Sequence, residues 1–131
     1  MKIGWIGTGV MGVSMAGHLL DGGHEVRVYN RTKSKAAPLL DKGACWCESP
    51  AEAAEGTFIT FTIVGFPPDV ENCILGADGV LQAAAVPRII VDMTTSRPVL
   101  AERIADQAAK KNVKALDAPV SGGDTGAREG T

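Results

Sequence analysis

The sequence predicts an α/β fold: a doubly wound, mostly parallel sheet with helices on both faces. Three observations predict it. Short apolar runs alternate with longer segments of helical period, the pattern of a parallel sheet covered by helices. A glycine-rich stretch, GTGVMG, joins the first apolar run to the first helix. One run, TFITFTIVG, is β-branched and apolar almost throughout, as a strand buried on both faces requires.

The elements follow in order. KIGWIG is the first strand. A helix runs from about Val10 to Asp21, with Met11, Met15 and Leu19 spaced four apart on one face and Gly22-Gly23 ending it. HEVRVY is the second strand, and a second helix covers roughly Ser34 to Lys42. ACWCE is a short third strand closed by SPAE, in which Ser49 caps, Pro50 takes the first helical position and Glu52 completes a capping box. TFITFTIVG is the central strand and ends at Gly65; PPDVENCIL starts the next helix. After the GADG turn come a short helical piece around Val80 to Ala85 and the strand RIIVDM. A helix from about Arg97 to Lys111 and the strand VKALDA complete the series. Lys110 and Lys111 fall where cations suit the helix dipole. The order is β-α-β-α-β-(short α)-β-α-β-α-β, with right-handed crossovers expected.

Composition bounds the rest. A chain of 131 residues, 45% of them hydrophobic, can bury a core of roughly one domain. The net charge of -2 and pI near 5.6 give no general pull toward nucleic acid or an anionic membrane, so any phosphate binding must be local. No stretch approaches the ~20 apolar residues of a spanning helix, and MKIGWIG lacks the form of a signal peptide, so a cytoplasmic chain is expected, with neither membrane nor nucleic acid as partner. Cys45, Cys47 and Cys73 read as small buried apolar residues, with Cys45 and Cys47 spaced to point the same way from a strand. Three thiols with the scattered His18 and His24 offer too few ligands at suitable spacing, so no metal is expected.

Gly7, Gly9 and Gly12 form a G-x-G-x-x-G that directly follows a strand and opens a helix. In a Rossmann fold the first glycine permits the tight turn, the second lets backbone approach a pyrophosphate, and the third allows close helix–strand packing. Free N–H groups at the helix start then hold the anion. A merely structural turn, or the adenosylmethionine variant of such a loop, is the competing reading. The second strand ends about 20 residues on, where ribose recognition is expected. Many dinucleotide sites place an acid there, whose charge repels a 2′-phosphate. This chain has Asn30, whose neutral amide can reach a hydroxyl, then Arg31 with a fork suited to phosphate oxygens and Thr32 with a hydroxyl. Lys33 and Lys35 add positive potential. Together they favour NADP, with NAD as the alternative.

Two other stretches reach the carboxyl edge of the sheet, where open α/β folds bind ligands. VGFPPDV, from Val64 to Val70, is placed to wall the adenosine side, or is an ordinary strand-to-helix loop started by Pro68. DMTTSRP brings Thr94, Thr95 and Ser96, hydroxyls that bond a ribose and carboxamide or only cap the next helix. In the tail DAPVSGGDTGAREGT, Ser121, Gly122 and Gly123 supply a hydroxyl and bare N–H groups suited to a small carboxylate; a flexible loop has a similar composition.

GWIGTGVMGVSMAGHLL, VYNRT, VDMTTS and LDAPVSGGDTGAREGT, in this order, resemble the amino-terminal domain of the β-hydroxyacid dehydrogenase family. That family includes 3-hydroxyisobutyrate dehydrogenases, tartronate semialdehyde reductases and glyoxylate or succinic semialdehyde reductases, with 6-phosphogluconate dehydrogenases as relatives. The resemblance spans essentially the whole chain. It implies that Gly7, Thr8, Gly9, Val10, Met11 and Gly12 bind pyrophosphate. Val64, Gly65, Phe66 and Pro67 flank the adenosine, with Val70 beside them, and Thr95 contacts the nicotinamide end. Ser121, Gly122 and Gly123 then bind the carboxylate of a small hydroxy acid or semialdehyde. A homo-oligomer is expected of the full-length protein.

Hydride transfer to a carbonyl also needs a proton donor within hydrogen-bond reach of the oxygen. No residue of the chain fits. His18 faces out of the first helix, and His24 opens the second strand at the opposite edge. In similar enzymes the donor is a lysine on a later long helix, so it is expected beyond residue 131. Residues 1–131 are therefore expected to be a truncated NAD(P)-binding domain without its helical partner, able to bind coenzyme but not to turn over substrate. The alternative is a non-catalytic nucleotide-binding or interaction module that keeps the fold; the Ser121–Gly123 stretch favours the dehydrogenase.

Overall fold

A computed structural model describes residues 1–94 and 98–118 of the chain. Six strands form one sheet: β1 (Lys2–Ile6), β2 (Glu25–Tyr29), β3 (Cys45–Trp46), β4 (Ile59–Thr62), β5 (Ile89–Asp92) and β6 (Lys114–Asp117). Their order across the sheet is β3-β2-β1-β4-β5-β6, and every neighbouring pair is parallel. The strand order reverses between β1 and β4, so a crevice opens there outside the carboxyl ends of the strands. This is the Rossmann arrangement expected from the sequence, and TFITFTIVG does supply a central strand.

Period-2 alternation divides the core into two layers. On one face Trp5, Val26, Val28 and Val91 pack with Met15 and Leu19 of α1 (Val10–Asp21) and Leu39 of α2 (Ala37–Asp41). On the other, Ile6 and Ile90 pack with Ala53 of α3 (Pro50–Ala54), Val70 and Ile74 of α4 (Pro67–Leu75) and Ile104 of α5 (Pro98–Ala109). Successive residues Trp5 and Ile6, or Ile90 and Val91, thus serve opposite layers, which is why these strands read as continuous apolar runs.

Several local expectations need correction. The second helix does not run unbroken from Ser34: a 3₁₀ turn at Lys33–Ala36 precedes α2. Pro38 has no N–H to return to the carbonyl four residues back, so an α-helix cannot propagate through it from Ser34. The piece after GADG is a 3₁₀ turn of three residues, Val80–Gln82. Ser49 does cap α3, its hydroxyl accepting from the Glu52 N–H at 3.1 Å, but the Glu52 carboxylate accepts from the Glu48 N–H at 2.9 Å rather than from Ser49. Cys45 and Cys47 do not share an environment, because β3 ends at Trp46: Cys45 is exposed, while Cys47 is buried, as is Cys73.

Candidate functional site

The chain leaves β1 through Gly7, whose N–H donates to the Tyr29 carbonyl at 3.0 Å and whose carbonyl accepts the Trp5 indole N–H at 2.8 Å. Gly7 has φ +107, and a Cβ there would stand 1.9 Å from the Ile63 carbonyl oxygen. A Cβ on Gly12 would stand 2.2 Å from the Gly7 carbonyl oxygen. These two glycines are required by the chain itself, one to make the turn and one to seat α1 on it.

Gly9 differs. Its φ of -69 and ψ of -172 suit any residue, and among the described residues no atom beyond its chain neighbours lies within 4 Å of where its Cβ would be. The folded chain has no need of a glycine there; a ligand approaching the backbone does. The first helical bond of α1 runs from the Val13 N–H to the Gly9 carbonyl at 2.9 Å, so the N–H groups of the first turn have no acceptor within the helix. Beside them the Thr8 hydroxyl is buried without a hydrogen-bond partner among the described residues. Open space over backbone donors at a 12-residue helix, with an orphaned hydroxyl alongside, fits a pyrophosphate.

Asn30 ties this loop to the end of β2. Its amide oxygen accepts from the Thr8 N–H at 3.0 Å, and its amide nitrogen donates to the Thr32 carbonyl at 2.9 Å. The amide expected to serve a ribose therefore first holds two backbone segments in register. Arg31 stands on the rim with its side chain 81% exposed and donates through Nη2 to Oδ1 of Asp69 at 2.8 Å. Asp69 lies in the first turn of α4, and its Oδ2 accepts from the Phe66 N–H at 3.0 Å. An acid thus faces the β2 terminus after all, delivered by α4 rather than by β2.

A cleft of about 770 Å³ joins these parts. Gly7, Gly9, Met11 and Gly12 form one side, Asn30, Arg31 and Thr32 a second, and Val64 and Gly65 a third. Three expected positions do not line it. Thr8 is buried, Val70 is completely buried in the core and Phe66 is 71% exposed, none of them lining the cleft. The alternation of α4 explains Val70: it and Ile74, one turn apart, carry the helix's buried stripe. Val10 and Pro67 open α1 and α4. Thr95, Ser121, Gly122 and Gly123 lie outside the described residues.

Sequence reasoning missed Asp69, Asn72 and Cys73, which also line the cleft. For Asp69 a signal existed, since an acid at the third helical position after PP is a usual helix opener; Asn72 and Cys73 follow it by roughly one turn. Burial pushes the Cys73 thiol up to about 11, so at neutral pH it is a protonated lining group rather than a nucleophile. Among the described residues no cluster of three or more His, Cys, Asp or Glu is placed to hold a metal, and no helix is long and apolar enough to cross a membrane.

At the end of β5, the Thr94 hydroxyl accepts from the Val64 N–H at 2.8 Å. Asp92 sets Thr94 in place: its Oδ1 accepts from the Thr94 N–H at 3.0 Å and the Thr62 hydroxyl at 2.9 Å. Burial raises the Asp92 carboxyl above its ordinary 3.8, against the lowering effect of those hydrogen bonds and with a further push from Asp117. The folded chain therefore binds this proton more tightly than the unfolded chain, and the ionised carboxylate costs stability as pH rises. Asp92→Asn keeps the oxygen acceptor and removes the charge. Its Tm relative to the parent should increase as pH rises from about 4 toward 7, read by thermal melts across that range; a difference independent of pH would contradict this account of Asp92.

Residues 2–131 match the family described as the NAD binding domain of 6-phosphogluconate dehydrogenase. A mitochondrial protein of Arabidopsis thaliana named as a probable 3-hydroxyisobutyrate dehydrogenase-like 1 is 54% identical over 130 residues, covering 98% of this chain and 39% of that protein. The structure of Mycobacterium tuberculosis 3-hydroxyisobutyrate dehydrogenase with L-serine matches with a TM-score of 0.89 at 29% identity, over 99% of this chain and 44% of that one. Psf3 in complex with NADP+ and 2-OPP matches with a TM-score of 0.87 at 30% identity, over 98% of this chain and 45% of that one. The chain spans less than half the length of these relatives.

Proposed function

Because the chain belongs to the family of the 6-phosphogluconate dehydrogenase NAD binding domain, we propose that it is the coenzyme domain of an NADP-preferring oxidoreductase that transfers hydride between the coenzyme and a small 3-hydroxy acid or semialdehyde. The observation that carries the reading is Gly9: a glycine with ordinary dihedrals and, among the described residues, open space at its Cβ, beside first-turn N–H groups of α1 that have no acceptor within the helix. Such a residue is explained by a ligand pressed against the backbone.

Each part of the cleft then has work to do. The first-turn N–H groups of α1 hold the pyrophosphate, while Asn30 keeps the loop in register with β2. Arg31, helped by Lys35 on the same rim, addresses the 2′-phosphate, and Thr32 adds its hydroxyl. Val64 and Gly65 border the adenosine, and Asp92 through Thr94 fixes the backbone that carries them. Held by these residues, a nicotinamide coenzyme would supply or accept the hydride. Thr95 belongs to the nicotinamide end, and Ser121, Gly122 and Gly123 receive the substrate carboxylate. The proton for the substrate oxygen would come from the lysine expected beyond residue 131.

The names of the Arabidopsis and mycobacterial relatives support a 3-hydroxy acid, and L-serine, found with the latter, is itself one. The whole protein, given NADPH with glyoxylate, succinic semialdehyde or tartronate semialdehyde, and NADP+ with 3-hydroxyisobutyrate, should change the nicotinamide absorbance with at least one of the four. A coenzyme-binding protein inert toward all four would contradict the substrate class.

A further inference from the structure

The chain answers the cation at the end of β2 with an anion of its own. Asp69 takes the Nη2 face of Arg31 at 2.8 Å, and its side chain is only 26% exposed. Its second oxygen is fixed by the Phe66 N–H at 3.0 Å, so the carboxylate cannot swing away without uncapping α4. Both residues line the cleft. We propose that Asp69 is a coenzyme-selectivity residue that restrains the preference for a 2′-phosphorylated dinucleotide by competing with that phosphate for Arg31.

This inference rests on the NADP reading of the cleft. A phosphate ester dianion reaching Arg31 meets the Asp69 carboxylate on the same guanidinium, and must either share its N–H donors or displace the acid. Like charges at this range repel even through water. A dinucleotide with a free 2′-hydroxyl meets no such opposition, because it leaves the ion pair intact. The acid therefore acts on one coenzyme and is nearly silent toward the other, which is how an element working against a competitor produces selectivity. Reaching Arg31 from across the cleft rather than from β2, Asp69 neutralises the cation without taking the place of the ribose ligand.

Asp69→Asn removes the charge and retains an oxygen to accept the Phe66 N–H. Titrated with NADP+ and NAD+, this variant should bind NADP+ about fivefold to tenfold more tightly than the parent and NAD+ within about twofold. Asp69→Ser, which also keeps a capping oxygen, should move in the same direction. NADP+ affinity that is unchanged or weaker in both variants would overturn the proposal, the weaker result meaning that Asp69 positions Arg31 instead. Arg31→Ala in the same titrations separates the two levels of the argument. If it leaves the NADP+ to NAD+ ratio untouched, the NADP reading itself fails and the selectivity role of Asp69 fails with it. If it lowers the ratio while the Asp69 variants do not raise theirs, the competition alone is wrong.

Discussion

Gly9→Ala should fold like the parent and bind nicotinamide coenzyme about a hundredfold more weakly. The stability half of the expectation comes from the open space at the Cβ position and from dihedrals that alanine adopts freely. Alanine is a poorer N-cap than glycine by about 0.5 kcal/mol, and the reduced freedom of the unfolded chain offsets a similar amount. The melting temperature should therefore move by no more than about 3 °C. The affinity half comes from what the methyl group displaces. A pyrophosphate held by first-turn N–H groups makes charge-assisted bonds of about 1.5–3 kcal/mol each, and forcing it outward weakens two or more of them. A loss of about 3 kcal/mol is roughly a hundredfold in Kd. Calorimetric titration beside a thermal melt checks both; a variant that melts early with coenzyme affinity intact would make Gly9 a structural residue.

Gly12→Ala should do the opposite. Its Cβ would sit 2.2 Å from the Gly7 carbonyl oxygen, an overlap between two pieces of backbone that no side-chain rotation relieves. Either α1 lifts from the turn or the turn gives way, and both disturb the layer in which Met15 and Ala16 pack against the sheet. Overpacking of this kind costs about 3 kcal/mol or more, lowering the melting temperature by roughly 10 °C. Any coenzyme affinity lost should then be explained by unfolding. A Gly12→Ala chain as stable as the parent that has lost coenzyme would show that the third glycine, too, is there for the ligand.

The contrast between these glycines shows what the sequence could and could not reveal. The fold was legible because two signals of different origin agreed: apolar strand runs such as TFITFTIVG require helices on both faces, and G-x-G-x-x-G requires a strand before it and a helix after it. The motif did not say which glycine the chain needs for itself, because that depends on the carbonyls of Ile63 and Gly7, and Ile63 reaches the loop only through the pairing of β1 with β4. Asn30 was placed on the cleft by its position at the end of β2, yet its bond to the Thr8 N–H spans 22 residues and is invisible to local pattern. Asp69 lies 38 residues from Arg31, and nothing local in PPDV or NRT signals that they meet. Val70 shows the reverse error: it sits in a binding stretch by sequence, but helical periodicity turns it into the core.

The central claim, a coenzyme domain that reads a 2′-phosphate through Arg31, is tested most directly by titrating the protein and its Arg31→Ala variant with NADP+ and NAD+ at one ionic strength. The parent should bind NADP+ more tightly by about tenfold or more, since a hydrogen-bonded phosphate pair contributes roughly 1.5–3 kcal/mol. Arg31→Ala should bring the two affinities together by weakening NADP+ and leaving NAD+ within about twofold. Equal affinities in the parent, or a variant that loses both coenzymes alike, would contradict it.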